Sequence, residues 1–234
     1  MQEEVAKHTK KIYKVVTTPG HTVLEKLKEI AIEIFIIVFA VTLSIGLHSW
    51  SDHRHEQKEA AEFLKGLREN LMEDLKQIEE NKQTTLRLDS NYRYIADHTE
   101  DQKRDTGVDA QVAHRLYYEL RITHPNSGRY EGFKSSGKME TIEEDSLKQN
   151  ILEYYQQTIP SLNSIEDIAN SFQSRIMDLQ IDGKEQGFHE LIRTFKFRAL
   201  MQFGKQNLEE SIRQYDQAAS LAKTIIAAID RVIR

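Results

Sequence analysis

The sequence predicts an all-α fold, in which one N-terminal transmembrane helix continues into a helical stem that packs with an antiparallel helical-bundle domain. Three observations support this fold class: one long apolar stretch, one amphipathic stretch without glycine or proline, and a heptad-like pattern near the C-terminus. The 234 residues include only three prolines and ten glycines, so few positions interrupt helices. With 39% hydrophobic and 29% charged residues, the composition is that of an ordered protein.

The apolar stretch is Ile30–Leu47, in which Glu33 is the single charged residue. As a helix, this stretch would cover about 27 Å, close to the thickness of a hydrocarbon core. His48 and Trp50 follow it, at the distance of the membrane interface. A buried core helix is one alternative, but such helices are seldom apolar on every side for this length. A cleaved signal peptide is another, but the stretch is longer than a usual signal core and no small-x-small site follows it.

Lysine and arginine residues near the apolar stretch predict its orientation. Five lysines precede it within twenty residues, whereas three basic residues follow it. The positive-inside rule then places the N-terminus in the cytoplasm and exports the domain after the anchor. The residues counted are Lys10, Lys11, Lys14, Lys26 and Lys28 on one side, and Arg54, Lys58 and Lys65 on the other. The expected organisation is a short tail (1–29), a transmembrane helix (30–50), a helical stem (51–105) and an exported helical domain (106–234) that packs with the stem.

The stem and the C-terminus each carry an apolar stripe at helical spacing. The stem stripe consists of Leu64, Leu67, Leu71, Leu75 and Ile78, and Tyr92 and Ile95 continue the same helix. The C-terminal seam alternates spacings of four and three, as in a coiled coil or a bundle. Its members are Leu208, Ile212, Tyr215, Ala219, Ala222, Ile226, Ile229 and Ile233. The simplest partner of the seam is the stem stripe, and the alternative is its copy in another subunit.

Between the stem and the seam, turn signals predict shorter elements. The sequence TGVDA (106–110) breaks the stem, and Asp109 is a candidate N-cap for a short helix that reaches Ile122. Glycine, serine and proline residues at 124–138 predict a loop, with a short hairpin near 129–142 as a possibility. Further helices are expected at 144–157, 161–181 and 185–204.

Glu33 is a candidate functional residue because a carboxylate one turn inside a membrane is costly. Such residues usually contact a partner helix or a water path, so an intramembrane partner contact or ion coupling is one interpretation. The alternative is that Glu33 reaches the headgroup region or pairs with Lys28 or Lys26.

Other patterns predict no nucleotide, metal or catalytic site. The stretch GFKSSGKM (132–139) fits the first seven places of a P-loop, but Met139 replaces the serine or threonine and no strand precedes it. His48, Asp52 and His55 could share a helical face with a metal or a proton, but a fourth ligand is missing. The remaining histidines are scattered, and the chain has no cysteine. We therefore expect no cofactor, and the net charge of -5 gives no reason to expect nucleic acid.

Two stretches resemble a known family. KEIAIEIFIIVFAVTLSIGLHSWSDHR places Glu33 at the start of an apolar helix and Trp50 at its end. RYEGFKSSGKMETIEEDSLKQNILEYY follows the pattern of an aromatic residue, small-Gly, Ile, Leu and a Tyr pair. The matching residues of the second stretch are Tyr130, Ser136, Gly137, Ile142, Leu147, Ile151, Tyr154 and Tyr155. These features are similar to those of the DUF6090 proteins, an uncharacterised family chiefly from Bacteroidota.

The resemblance implies a bacterial inner-membrane protein with a periplasmic domain, and it implies no activity. The chain departs from the family pattern at Ile32, where the family usually has glycine, and at His48-Ser49, where it has asparagine-rich residues. Tyr154-Tyr155, together with Tyr117-Tyr118, is expected to pack between helices with its hydroxyls at the surface.

The sequence leaves two classes of function open. In the first, a non-catalytic subunit uses its helical domain for interaction or structure in an envelope complex, with the lipid bilayer, other membrane proteins or copies of itself as partners. In the second, the domain senses or binds a ligand and signals through the membrane helix. The N-terminal tail is too short for an output domain, so a sensor would need a separate partner. That requirement favours the first class.

Overall fold

The computed structural model describes residues 10, 23–99, 106–182 and 187–233, without the side chains of residues 23–26 and 29. Most of the expected N-terminal tail lies outside these residues. The first helix, α1, runs from Val23 to His98. The other helices are α2 (Thr106–Arg115), α3 (Gly128–Ser135), α4 (Asp145–Glu153), α5 (Ile159–Asp182), α6 (Phe188–Ile192) and α7 (Phe195–Val232). A 3₁₀ turn at Lys138–Thr141 and a π-helical turn at Tyr154–Thr158 complete the described structure.

The chain divides into two compact units, Met1–Glu59 and Ala60–Arg234. The described part of the first unit is dominated by the apolar stretch of α1. Of its most apolar 18-residue window, only 6% is buried. By length and composition, α1 is the one helix of the described residues that could cross a membrane.

In the second unit, α1 is an amphipathic helix, as predicted. Its buried residues recur at spacings of three and four because one face of a helix repeats every 3.6 residues. The stem stripe is confirmed, since four of its residues are fully or almost fully buried and Leu75 is partly buried. No glycine or proline interrupts α1 between Leu67 and His98, so nothing in this part of the sequence ends the helix.

Helices α1 and α7 pack against each other in antiparallel directions. Arg68 pairs with Asp230 at 2.6 Å between Nε and Oδ1, and Lys82 pairs with Asp216 at 2.6 Å between Nζ and Oδ1. The partner's number falls as the residue number in α1 rises, which is the signature of an antiparallel pair. The C-terminal helix therefore packs against the stem within the same chain.

The buried face of α7 is turned by about one residue relative to the predicted seam. Leu208, Tyr215, Ala222 and Ile229 are buried as the pattern suggests, whereas Ile212, Ala219 and Ile226 are only partly buried and Ile233 is exposed. The fully buried positions between them are Ser211, Ala218 and Ile225. The rotation has a physical reason: α7 packs against α5 as well as α1, so its buried face is wider than a two-helix seam.

Two predicted elements between the stem and α4 are wrong. Helix α2 ends at Arg115 and does not reach Ile122, and Asp109 lies in its first turn instead of capping it. The loop expected at 124–138 is non-helical at 124–127, but most of the rest of it, and the region of the possible hairpin near 129–142, form α3 and the 3₁₀ turn. Gly128 and Gly132 lower helix propensity by only about 1 kcal/mol each, and the complete burial of Tyr130 on α3 outweighs that cost.

Two predicted helix boundaries are also wrong. The helices expected at 144–157 and 161–181 form one helical run through a wider π-helical turn at Tyr154–Thr158. That turn lets the helix accommodate Pro160, which has no amide hydrogen and crowds the preceding turn.

Near the C-terminus, the break falls at Arg193-Thr194, before α7, and not after residue 204. The Thr194 hydroxyl accepts a hydrogen bond from the Phe197 amide at 3.1 Å and caps the helix. Gly204 lies inside α7, where the Tyr92 ring packs close to its backbone. A Cβ at position 204 would lie 2.7 Å from Cε2 of that ring.

The position of the buried face of α7 predicts that alanine substitutions at two adjacent isoleucines lower stability by unequal amounts. Ile225→Ala should lower the free energy of unfolding by about 2–5 kcal/mol, because it leaves a cavity in the core. Ile226→Ala should cost clearly less, since that side chain is only partly buried. Thermal unfolding of the full chain in detergent, followed by near-ultraviolet circular dichroism, measures both. Equal losses of stability in the two variants would contradict this difference in burial and would support the seam predicted from the sequence.

Two glycines predict opposite responses to alanine. Gly204→Ala should destabilise the chain, because overpacking against the buried Tyr92 ring costs about 1–3 kcal/mol and exceeds the helix-propensity gain of about 1 kcal/mol. Gly66→Ala should be neutral or stabilising, because the added Cβ meets only the mobile end of the exposed Arg129 side chain. The same thermal measurement compares them, and a stabilised Gly204→Ala variant would contradict the close contact.

Candidate functional site

The most unusual element of the bundle is an extended segment, residues 116–126, which we call the strap. It is neither helix nor strand, and it runs along α1 in the opposite direction. The Arg121 guanidinium donates to the Thr85 hydroxyl at 3.1 Å. The side-chain amide of Asn81 donates to the Thr123 hydroxyl at 3.1 Å. The backbone amide of Asn126 donates to the Asp74 carboxylate at 2.9 Å. The paired numbers on α1 fall as those on the strap rise, so the two elements are antiparallel.

Side chains of α5 bind alternate residues of the strap through their backbone. Gln173 accepts from the Glu119 amide at 2.9 Å and donates to its carbonyl at 3.1 Å. Asn170 accepts from the Arg121 amide at 3.3 Å and donates to its carbonyl at 2.7 Å. A side-chain amide carries both a donor and an acceptor, so it can replace the peptide group of a neighbouring β-strand.

The last member of this set, Glu166, binds the strap with both carboxylate oxygens. It accepts from the Thr123 amide at 2.8 Å and from the Thr123 hydroxyl at 2.7 Å. The hydroxyl of Tyr215 on α7 also donates to Glu166. Burial raises the pKa of Tyr215, and the neighbouring Glu166 carboxylate raises it further. The strap is therefore tied to three helices by one buried polar cluster.

Arg121 lies at the centre of that cluster with only 1% of its surface exposed. Burial lowers the pKa of its guanidinium, although nearby Tyr215, Tyr92 and Glu166 act in the opposite direction. Its Nε and Nη2 atoms make no hydrogen bond to any of the described residues. A buried charge of this kind contributes little net stability, but it favours the one arrangement in which its partners surround it.

The tyrosines of the family pattern come together in one core. The rings of Tyr130 and Tyr155 stack with centroids 4.4 Å apart, and Tyr154 meets Tyr155 edge-on at 4.9 Å. Leu147 is fully buried in the same cluster. Gly137 ends α3 with a φ of 74°, a left-handed conformation that favours glycine. This core contains six of the eight residues that match the family pattern, and the other two, Ser136 and Gly137, are exposed.

The expectation that the Tyr154-Tyr155 hydroxyls reach the surface is wrong. The Tyr154 hydroxyl is buried and donates to Asp74 at 3.3 Å, and the Tyr155 hydroxyl is buried as well. Burial raises the pKa of Asp74, while the hydrogen bonds from Asn126 and Tyr154 oppose that rise. The wider π-helical turn lets both adjacent tyrosines face the core. Asp74 therefore connects the tyrosine core to the end of the strap.

A second polar cluster joins α2 to α6. The Asp109 carboxylate lies 2.6 Å from His189 Nδ1 and accepts from Arg193 Nη1 at 2.9 Å. Burial would raise the pKa of Asp109, but the hydrogen bonds from Arg193 and His189 together lower it. The sequence provided no signal for this cluster, because 80 residues separate Asp109 from His189.

The N-terminal candidates lie on the exposed part of α1, apart from Glu33, which is only 6% exposed. His48 lies 3.4 Å from Asp52, and the Arg54 guanidinium lies 5.0 Å from the centre of the exposed Trp50 ring. His55 is 3.7 Å from Glu59, so the two histidines pair with different carboxylates. Within the described part of the chain, no three potential ligands are close enough to hold a metal.

Two other features bear on ligand binding. The stretch 132–139 crosses the end of α3 and the 3₁₀ turn, without the strand and helix that a phosphate loop needs. A groove of about 800 Å³ opens between α5 and α7 beside Phe195, whose surface is 81% exposed. The apolar residues that line it are Phe172, Leu179, Phe195, Ala199, Leu200 and Phe203, and the charged ones are Arg175, Asp178, Asp182 and Lys196.

These features define an all-α protein with a long apolar N-terminal helix and a bundle that binds an extended segment of its own chain. The chain belongs to the family of unknown function DUF6090, whose model matches residues 33–165. The match includes the strap and the tyrosine core, and it ends one residue before Glu166. No curated protein and no solved structure matches the chain.

The two hydrogen bonds between Gln173 and the backbone of Glu119 predict that a substitution at Gln173 makes the stability of the protein depend on pH. In Gln173→Glu, the carboxylate cannot donate to the Glu119 carbonyl, which should cost about 1–3 kcal/mol of stability at neutral pH. Burial beside a carbonyl raises the pKa of the new carboxyl, so the loss should diminish as the pH falls and the protonated group donates again.

Thermal unfolding between pH 7 and pH 4 measures this effect, relative to the parent chain at each pH. Gln217→Glu is the matched control, because Gln217 is an exposed residue of α7. The control should show no comparable change with pH. A Gln173→Glu variant with parental stability at neutral pH would refute the role of this side chain.

Proposed function

We propose that this protein is a single-pass inner-membrane protein whose helical domain acts, without catalysis, as an interaction or structural subunit of an envelope complex. One observation carries the proposal: the most apolar window of α1 is almost entirely unburied, while the same helix continues into a folded bundle. A core helix of a soluble protein would bury such a window, because exposed apolar surface of this extent is unfavourable in water.

The excess of lysines before the apolar segment supports a cytoplasmic N-terminus and a periplasmic domain. The contact between Trp50 and Arg54 supports a membrane interface at the end of that segment, since aromatic and basic side chains favour the headgroup region. Glu33 is 6% exposed and already interacts within its own chain, so a further contact of this residue with a partner helix in the membrane is part of the proposal but does not carry it.

The second candidate function is a periplasmic sensor that signals through α1 to a separate partner. The groove beside Phe195 favours this alternative, because its volume of about 800 Å³ and its mainly apolar surface with a few charged groups are typical of small-molecule sites. The groove is open on one side, as a protein contact surface would also be.

The test combines topology with purification. A Gln217→Cys variant introduces the single cysteine of the chain, at an exposed position of α7. In intact bacteria, a membrane-impermeant maleimide should label this variant, whereas Lys10→Cys should react only after lysis. The labelled protein, extracted with detergent, should purify with a second polypeptide in stoichiometric amount.

Each part of the experiment has an outcome that contradicts the proposal. Reaction of Lys10→Cys in intact cells, with Gln217→Cys protected, would place the domain in the cytoplasm. Purification of the chain alone with a bound small molecule would favour the sensor. Release of the chain from membranes by alkaline carbonate would remove the anchor.

A further inference from the structure

The strap has one edge whose backbone is bound and another whose backbone is partly free. In an extended segment, successive amides point to opposite sides. Those of Glu119, Arg121 and Thr123 are bound by α5. On the other side, the His124 amide donates to Gln77 at 2.8 Å and the Asn126 amide to Asp74 at 2.9 Å.

The same edge is free at Tyr118, Leu120 and Ile122. The backbone amides and carbonyls of these three residues make no hydrogen bond within the described structure. The α1 side chains that lie beside these three residues already form hydrogen bonds to other groups. Asn81 donates to Thr123 and Glu166, and the Thr84 hydroxyl donates to Glu119 at 3.4 Å. Three alternate residues therefore present unpaired backbone groups, as the edge strand of a sheet does.

The side chains at this free edge are apolar and unusually exposed. Leu120 is 51% exposed and Ile122 is 50% exposed, whereas the alternate residues Arg121 and Thr123 are buried. Beside Tyr117, a shallow cavity of about 370 Å³ leaves space over α1. Its other lining residues are Gln83, Leu86, Arg87, Ser90 and Asn91. The free edge thus combines unpaired backbone groups with exposed apolar side chains, and the cavity lies at one end of it, beside Tyr117.

We propose that the free edge of the strap binds an extended segment of another protein through main-chain hydrogen bonds. The segment carries apolar side chains at alternate positions, because these pack against Leu120 and Ile122 across the pair. This inference rests on the proposed interaction function and names the kind of partner that the domain takes.

A second copy of the chain does not suit this edge. Two straps related by a two-fold axis pair in antiparallel directions, so the two bundles would lie head to tail. The Ala60 end of each bundle follows the apolar segment, and these ends would then point in opposite directions. Two copies anchored in one membrane need these ends on the same side, so the occupant is a different polypeptide.

Amide-resolved hydrogen exchange of the full chain in detergent micelles tests the proposal with a synthetic peptide of residues 116–124. This probe is extended and apolar at alternate positions, and no anchor restricts its direction. At millimolar peptide, exchange at Leu120 and Ile122 should slow by about tenfold or more. Exchange at Glu119 and Arg121 should stay unchanged, because α5 already binds these amides. The same peptide with N-methylated central amides should have no effect.

Two variants distinguish specific binding of the peptide at the free edge from nonspecific binding to exposed apolar side chains. Leu120→Asp should weaken peptide binding by about tenfold, because the charge would be buried under the added segment. Ile168→Asp is the matched control, since Ile168 is 45% exposed on α5, and it should bind normally. Both variants should unfold at the parental temperature, because neither side chain is buried.

Four results would overturn the proposal. The first is that the Leu120 and Ile122 amides stay unprotected at millimolar peptide, and the second is that the N-methylated peptide binds equally well. The third is that Glu119 and Arg121 lose protection because the peptide displaces the strap. The fourth is that the chain forms a head-to-tail dimer in micelles. The exchange experiment does not depend on topology. Failure of the cysteine labelling would therefore overturn the proposed topology, and release by alkaline carbonate would remove the anchor, without either result deciding whether the edge binds a partner.

Discussion

The packing of α7 between α1 and α5 is the constraint on which the rest of the bundle depends. Two hydrophobic clusters make up the core of the second unit, and each contains residues of both α1 and α7. Since neither cluster closes without α7, the last helix of the chain completes a core that the first helix begins. The tyrosine core and the groove beside Phe195 both lie against this antiparallel framework.

A polar layer separates the two hydrophobic clusters, and the strap runs through it. On α1, the layer contains Asn81, Thr84 and Thr85, between the buried Ile78 of one cluster and the buried Leu88 of the other. Arg121 and Glu166 complete it from the strap and α5. Because buried polar groups need partners, this layer determines the register of the helices more than it adds to stability.

An extended segment in a helical protein has to bond its backbone to side chains, since the part of the chain that the structure describes contains no strand to pair with it. The α5 side of the strap meets this demand at three consecutive alternate residues, and the α1 side meets it only at His124 and Asn126. The difference between the two sides follows from which helix residues remain available. It also connects the internal architecture to the proposed partner surface, because the unmet hydrogen bonds lie beside exposed leucine and isoleucine side chains.

The sequence by itself determined the helical class, the apolar segment, the stem stripe and the family, because each rests on local composition or on a period within one helix. Only the tertiary structure decided the strap, the rotation of the buried face of α7 and the cluster of Asp109 with His189. Residues 116–126 carry no local signal that excludes a helix, and they are extended because α1 and α5 supply distant hydrogen-bond partners. Likewise, packing against α5 widens the buried face of α7 toward Ile225. The spacing of apolar residues within α7 does not indicate that second neighbour.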